Sequence, residues 1–232
     1  MKLYRGNNLT RSIVADLGRA IVGGKYNDET FPNEAQLAEQ YSASRNVVRE
    51  AVKILGEKGL LSSRPKIGTK IRDEDEWNIL DSDVLNWFLG RKLSLPLLME
   101  LTQVRLQIEP AAAALAASSA GPEEIEAIRV AIEDFEASEN GDGDQLEADI
   151  AFHLAIVKAS GNRFFFRMSS LIETALRFSI RFTNKYKSEL THVVSHREIF
   201  TAIENHDEDK AHDTVVALLS NVERIIKEQL SE

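Results

Sequence analysis

Asp149 and His153 stand four residues apart in the stretch from Glu147 to Ser160. On a helix that interval puts a carboxylate and an imidazole on one face. Such a pair holds a divalent cation when further donors join it, as in other helical-bundle sites. His196, at the start of the helical pattern SHREIFTAI, is the third candidate donor. Arg105 lies in LTQVRLQIEP on an apolar stripe with Leu101, Val104 and Ile108. A cation there needs an acceptor, because burying it unpaired is costly. Two chemistries are open to this quartet: cation binding, for which the residue types suit zinc, nickel or manganese, or a hydrogen-bonded and salt-bridged cluster in a helical core. His192, His206 and His212 read as surface or loop residues without a role.

A second set of residues points to nucleic acid. In 31–69, FPNEAQLAEQYSASRNVVREAVKILGEKGLLSSRPKIGT, Arg45 and Arg49 are one helical turn apart. Val47, Val48, Ala51 and Val52 follow a helical period that docks the opposite face on a core. A rigid helix presenting two arginines outward suits the major groove, where guanidinium reaches phosphates and the O6/N7 edge of guanine. The stretch predicts a winged helix-turn-helix, with Ser44 as N-cap of the recognition helix and a wing turning around Lys66, Ile67 and Gly68.

These side chains need a scaffold, and the pattern supplies one. Residues 9–23 carry the stripe Ile13, Val14, Leu17 and Ile21, stopped by Gly23-Gly24. Pro32-Asn33-Glu34 open the next helix, Ser42-Ala43-Ser44 make the turn, and Leu55, Leu60 and Leu61 close a small core, with Gly59 ending a helix. Residues 62–72 read as two short strands. An acidic run, DEDE, then precedes a linker helix docked through Trp77, Leu80, Val84, Leu85, Trp87 and Phe88. From Leu95 onward nearly every segment has helical periodicity. Breaks at Gly121-Pro122, at 140–143, at Gly161-Asn162, at 185–188 and at 205–208 predict about six helices in an antiparallel bundle. The expected class is mainly α: a DNA-binding domain over 1–75, a linker over 76–94 and an all-helical domain over 95–232.

Composition narrows the function classes. The chain has 232 residues, no cysteine and a formal charge of −9. Thiolate metal sites and disulfides are therefore excluded. No apolar run approaches a bilayer span, and MKLYRGNNLTRS lacks the apolar core of a signal peptide, so a cytoplasmic protein without membrane contact is expected. The charge is unevenly placed. Residues 1–72 hold 13 Lys and Arg against 7 Asp and Glu, and the rest hold 15 against 30. A basic module that approaches phosphate is thus followed by an acidic one that does not.

The chain resembles the GntR family of bacterial regulators, in the FadR-like subfamily with an all-helical, FCD-type ligand domain. The resemblance rests on FPNEAQLAEQYSASRNVVREAVKILGEKGLL followed by GT, on EADIAFHLAIVKASGN and on SHREIFTAIENHDEDKA. It implies a homodimer on a short palindromic operator in double-stranded DNA. Carried over by position, Arg45, Arg49 and Gly68 become DNA contacts, joined by Ser44, Asn46 and Lys66. Many relatives have an arginine where this chain has Ala35, so one contact is missing or comes from Asn33 or Asn46.

The same resemblance puts Asp149, His153 and His196 at three of four metal-ligand positions. The fourth, usually histidine, falls on Leu218, which cannot ligate; water, effector or Asn221 would have to complete the shell, or the trio would bind effector directly. Arg105 matches a position that meets a carboxylate. EWNILDSDVLNWFL resembles regulators of sugar-acid catabolism, especially those responding to galactonate. The reading is therefore a repressor released by a carboxylate effector such as an aldonate bound at Arg105, Asp149, His153 and His196, with coupling through 77–87. The alternatives are a constitutive DNA-binding protein without effector, or a metal-dependent enzyme, for which no general base or nucleophile is evident.

Overall fold

The computed structural model describes residues 3–27, 30–64, 68–91, 94–183 and 192–231. The chain folds as two compact units, Met1–Leu93 and Ser94–Glu232. In the first unit α1 spans Leu3–Val22, α2 Glu34–Gln40 and α3 Arg45–Glu57. Strands β1 (Leu61–Arg64) and β2 (Gly68–Ile71) follow, then a 3-10 turn over Glu74–Glu76 and α4 over Ser82–Arg91. Ile13, Val14, Leu17 and Ile21 of α1 bury against Leu37 of α2 and against Val48, Ala51, Val52 and Leu55 of α3. The predicted period of each helix thus marks its inward face.

The ends of these helices are set locally. Asn33 caps α2 by accepting the N–H groups of Ala35 and Gln36, while the Gln36 side chain accepts the Asn33 N–H. Ser44 accepts the Val47 N–H at the start of α3. The strands pair antiparallel from Leu61 opposite Ile71 to Arg64 opposite Gly68. Lys58, just beyond α3, holds the start of α4: its Nζ lies 2.7 Å from Asp81 and 2.8 Å from Asp83. Asp81 in turn accepts the N–H groups of Asp83 and Val84. Trp77 and Val84 join the core, and Trp87 and Phe88 pack on it. Leu80 does not, being 65% exposed in the turn that precedes α4, which begins only at Ser82.

Gly59 has φ +82°, and a Cβ there would sit 2.8 Å from the Glu76 carbonyl oxygen and 2.9 Å from the Asn78 nitrogen. Both the left-handed turn and the close backbone approach demand glycine. At Gly18 the reason is different, because the Trp87 ring lies where a side chain would be.

The second unit is helical throughout its described residues. Helix α5 spans Leu95–Ser119, α6 Pro122–Glu139, α7 Gln145–Ala159, α8 Arg163–Arg167, α9 Ser169–Thr183, α10 His192–Glu204 and α11 Glu208–Ser231. That is seven helices where about six were expected. The additional one is α8, a single turn capped by Asn162 and too short for periodicity to reveal. The predicted break at 185–188 lies outside the described residues. Long α5 runs through the middle, packed against α7, α9, α10 and α11. Phe135, Phe152, Phe200 and Leu219 are among the largest groups in the main core. Among the described residues no helix is long and apolar enough to cross a membrane.

Both tryptophans, Trp77 and Trp87, lie in the first unit, so their fluorescence reports its unfolding. Gly59→Ala should lower the urea midpoint of that signal by the equivalent of about 2 kcal/mol or more, from backbone strain and the contact with Glu76. A midpoint unchanged from wild type would show that this turn relaxes freely.

Candidate functional site: a buried carboxylate–imidazole cluster

Helix α7 is apolar on most of its circumference, with Ile150, Phe152, Ile156 and Val157 all buried. It is therefore enclosed by α5, α6 and α9, and Asp149 and His153 are carried inside with it, each 5% exposed. His196 enters from α10 and is equally buried. Its ring is wedged between Phe135 and Phe152, with centroids 4.7 and 5.3 Å away. The pair related by spacing and the third candidate donor, His196, meet at one point.

Their geometry is a nearly regular triangle. His153 Nε2 lies 3.2 Å from His196 Nε2. Asp149 Oδ1 lies 3.4 Å from the first and 3.3 Å from the second. Ligands about 2.0–2.1 Å from a tetrahedral zinc are separated by roughly 3.3 Å, so these edges match one face of such a shell. Asp149 Oδ1 is buried without a hydrogen-bond partner. A carboxylate oxygen left so is costly, and a cation would satisfy it. The donor set of one carboxylate and two imidazoles therefore fits a divalent metal ion.

A fourth group behind the triangle escaped the sequence reading. Glu109, one turn beyond Arg105 on α5, is 3% exposed. Arg105 donates from Nε to Glu109 Oε1 at 2.5 Å and from Nη2 to Oε2 at 3.3 Å, and from Nη1 to the Ser179 hydroxyl at 2.8 Å. His153 Nδ1 lies 2.9 Å from Glu109 Oε2. The acceptor that buried Arg105 required is thus its own i+4 neighbour. The interval was visible in LTQVRLQIEP, but a glutamate beside a proline is easily taken for a surface residue.

Burial opposes ionisation throughout this cluster, and the partners overcome it. Glu109 is held down at about 2 because the charges of Arg105 and His153 outweigh its desolvation. Asp149 likewise stays far below the usual carboxylate range through His196 and His153. His153 is raised to about 9 against its own burial, by Glu109 and Asp149.

The remaining wall is apolar. Leu218, Leu219 and Val222 of α11 and Leu176 and Ile180 of α9 line, with the cluster, a cavity of about 20 Å³. Leu218 does face the site, as the resemblance implied, and offers no donor. Asn221 does not replace it: its Oδ1 accepts two N–H groups of Arg224, and it is absent from the cavity wall. The cavity has room for one ion or water.

In the first unit Ser44, Arg45, Asn46 and Arg49 share the exposed end of α3. Arg49 is 64% exposed and lies against Glu34, with Nη2 3.0 Å from Oε2. Asn33 does not offer its side-chain oxygen outward, because that oxygen caps α2. Gly68 opens β2 with φ +94° and open space around it. Lys66 lies outside the described residues.

A basic unit of four helices with a two-stranded wing, joined to a helical bundle with a buried ligand-type cluster, defines a one-component transcriptional regulator. The chain matches the gntR family of bacterial regulatory proteins over residues 9–71 and the FCD domain over residues 100–221, and it belongs to that family. It is 30% identical to the galactonate operon transcriptional repressor of Escherichia coli (strain K12), covering 95% of this chain and 98% of that one. It is 31% identical to a putative L-lactate dehydrogenase operon regulatory protein of the same organism, over 92% and 85% of the two chains. Among solved structures, Streptococcus agalactiae GntR aligns with 93% of this chain and 99% of its own, at 26% identity and a TM-score of 0.51. The protein is a DNA-binding transcriptional regulator and not an enzyme.

The Arg105–Glu109 pair should behave as a unit. Arg105→Met alone leaves a buried carboxylate with only His153 to balance it and is expected to destabilise the second unit by roughly 3–5 kcal/mol. Arg105→Met/Glu109→Leu should recover most of that in urea unfolding followed by circular dichroism. Strictly additive effects would show that the two groups are not coupled.

Proposed function

We propose that this regulator is a cytoplasmic repressor of a sugar-acid or related organic-acid catabolic operon, released when its carboxylate effector enters the α5–α7–α10 cluster. The observation that carries the reading is the triangle of Asp149, His153 and His196 beside Arg105, buried inside the unit that follows the DNA-binding module. The operons named for its galactonate and lactate relatives support the carboxylate class. An aldonate is the preferred member, since it adds hydroxyls for the polar groups nearby.

Charge supports an anion. A divalent cation held by Asp149, His153 and His196 displaces the proton that Glu109 and Asp149 otherwise keep on His153; with both imidazoles then neutral ligands, Arg105, Glu109, Asp149 and the ion leave one positive charge in the cluster. When bound, that ion supplies a Lewis-acidic contact for a carboxylate or hydroxyl oxygen. Zinc, nickel and manganese are all compatible with the donors. Arg105 has five N–H donors, of which three bonds to Glu109 and Ser179 use only part. It can therefore also meet an effector carboxylate.

The size of the cavity gives the mechanism its energy source. At about 20 Å³ it cannot admit a sugar acid unless the walls contributed by α9 and α11 move apart. An effector that binds only the opened form shifts the equilibrium toward it by its difference in affinity, a coupling of typically ~1–3 kcal/mol. In this reading two copies place their α3 helices on adjacent half-sites of a palindromic operator. Ser44, Arg45, Asn46, Arg49, Lys66 and Gly68 contact the duplex, and opening of the effector cavity changes their spacing.

Fluorescence anisotropy on operator fragments from the neighbouring genomic region, with a panel of aldonates and lactate, tests this. Arg49→Ala should weaken operator binding by about ten- to a hundredfold and leave effector affinity unchanged. His196→Ala should do the opposite, holding DNA as tightly as wild type while no longer responding to the effector. Loss of both activities in both variants would overturn the division of labour. A wild-type protein whose affinity for DNA ignores every organic acid would be a constitutive DNA binder instead.

A further inference from the structure

We propose that Glu109 is a positioning residue for His153: it fixes the imidazole with Nδ1–H toward α5 and so aims the Nε2 lone pair at the point shared with Asp149 and His196. The inference rests on the cation reading above and adds to it a residue outside the donor triangle. An imidazole that ligates a cation has exchanged one proton for it, so it has one donor and one ligand nitrogen, and the bond made by one decides the role of the other. Here Nδ1 is 2.9 Å from the Glu109 carboxylate, which is acceptor-only, so Nδ1 must carry the proton. Nε2 then faces Asp149 Oδ1 and His196 Nε2 at 3.4 and 3.2 Å, as a ligand nitrogen must.

Glu109 can do this because Arg105 holds it from the other side. Both its oxygens are bonded to the guanidinium, and Ser179 anchors the far end of that group. The carboxylate is therefore locked in position on α5 while His153 sits on α7. A chain of bonds runs Ser179, Arg105, Glu109, His153 across three helices, ending at the open point of the triangle. Carboxylate partners of metal-bound histidines typically change metal affinity by 10–100-fold when removed.

The test uses the full-length protein, zinc as the only added metal, and two double variants of equal net charge. Arg105→Met/Glu109→Leu removes the acceptor together with its counter-ion, and Arg105→Met/Glu109→Gln keeps an amide oxygen in the same place. Zinc affinity is measured by competition with a fluorescent chelator. The hydrogen-bonded Nδ1–H of His153 is followed as a downfield proton resonance, assigned by its loss in His153→Ala. The leucine variant should lose that resonance and bind zinc at least tenfold more weakly than wild type; the glutamine variant should retain the resonance and recover most of the affinity. If wild type binds zinc and the two double variants bind it equally, Glu109 has no positioning role, although the cation reading survives. If wild type itself holds no zinc, the cation reading falls and this proposal with it.

Discussion

Burying a carboxylate is the constraint on which the second unit depends. Asp149 and Glu109 are both almost inaccessible, and neither can ionise there without positive charge in contact. Arg105 on α5 and His153 on α7 supply it, and His196 of α10 lies against Asp149. The packing of those helices is thereby tied to an electrostatic balance, and any ligand that alters the balance acts directly on the packing. A purely apolar centre would hold the bundle together as well, but it would give a small anion nothing to act on.

The first unit solves a different problem with shorter-range means. Helices α2 and α3 have only 7 and 13 residues, so caps and turns carry much of their specification: Asn33 and Gln36 at α2, Ser44 at α3, Gly59 at the exit from α3. Lys58 then ties the end of α3 to the start of α4 through Asp81 and Asp83. Because these devices satisfy backbone groups and charges elsewhere, the exposed face of α3 carries little structural duty beyond the ion pair of Arg49 with Glu34. Arg45, Asn46 and Arg49 are exposed there for the same reason that Val48 and Ala51 are buried.

What could be read in the residues follows the range of the interactions. Ile13, Leu17, Val48 and Leu55 announce their inward faces by period alone, and Ser44 announces its cap. Asp149 and His153 share a face by virtue of a four-residue interval. Leu80 misled because an apolar residue in a turn looks like one in the next helix. Asn221 misled because one turn along α11 rotates it to Arg224 and away from the cavity. The single-turn helix α8 is too short to carry a period.

By itself the sequence determined the two-part plan, the helical faces and the identity of the donors, since each depends on neighbours within about a turn along the chain. Only the tertiary structure decided that His196 closes a triangle with Asp149 and His153, the latter 43 positions earlier, that Glu109 rather than solvent answers Arg105, and that the space between them is about 20 Å³. Those outcomes depend on how α5, α7, α9, α10 and α11 pack, and packing is settled by contacts between side chains far apart in the chain.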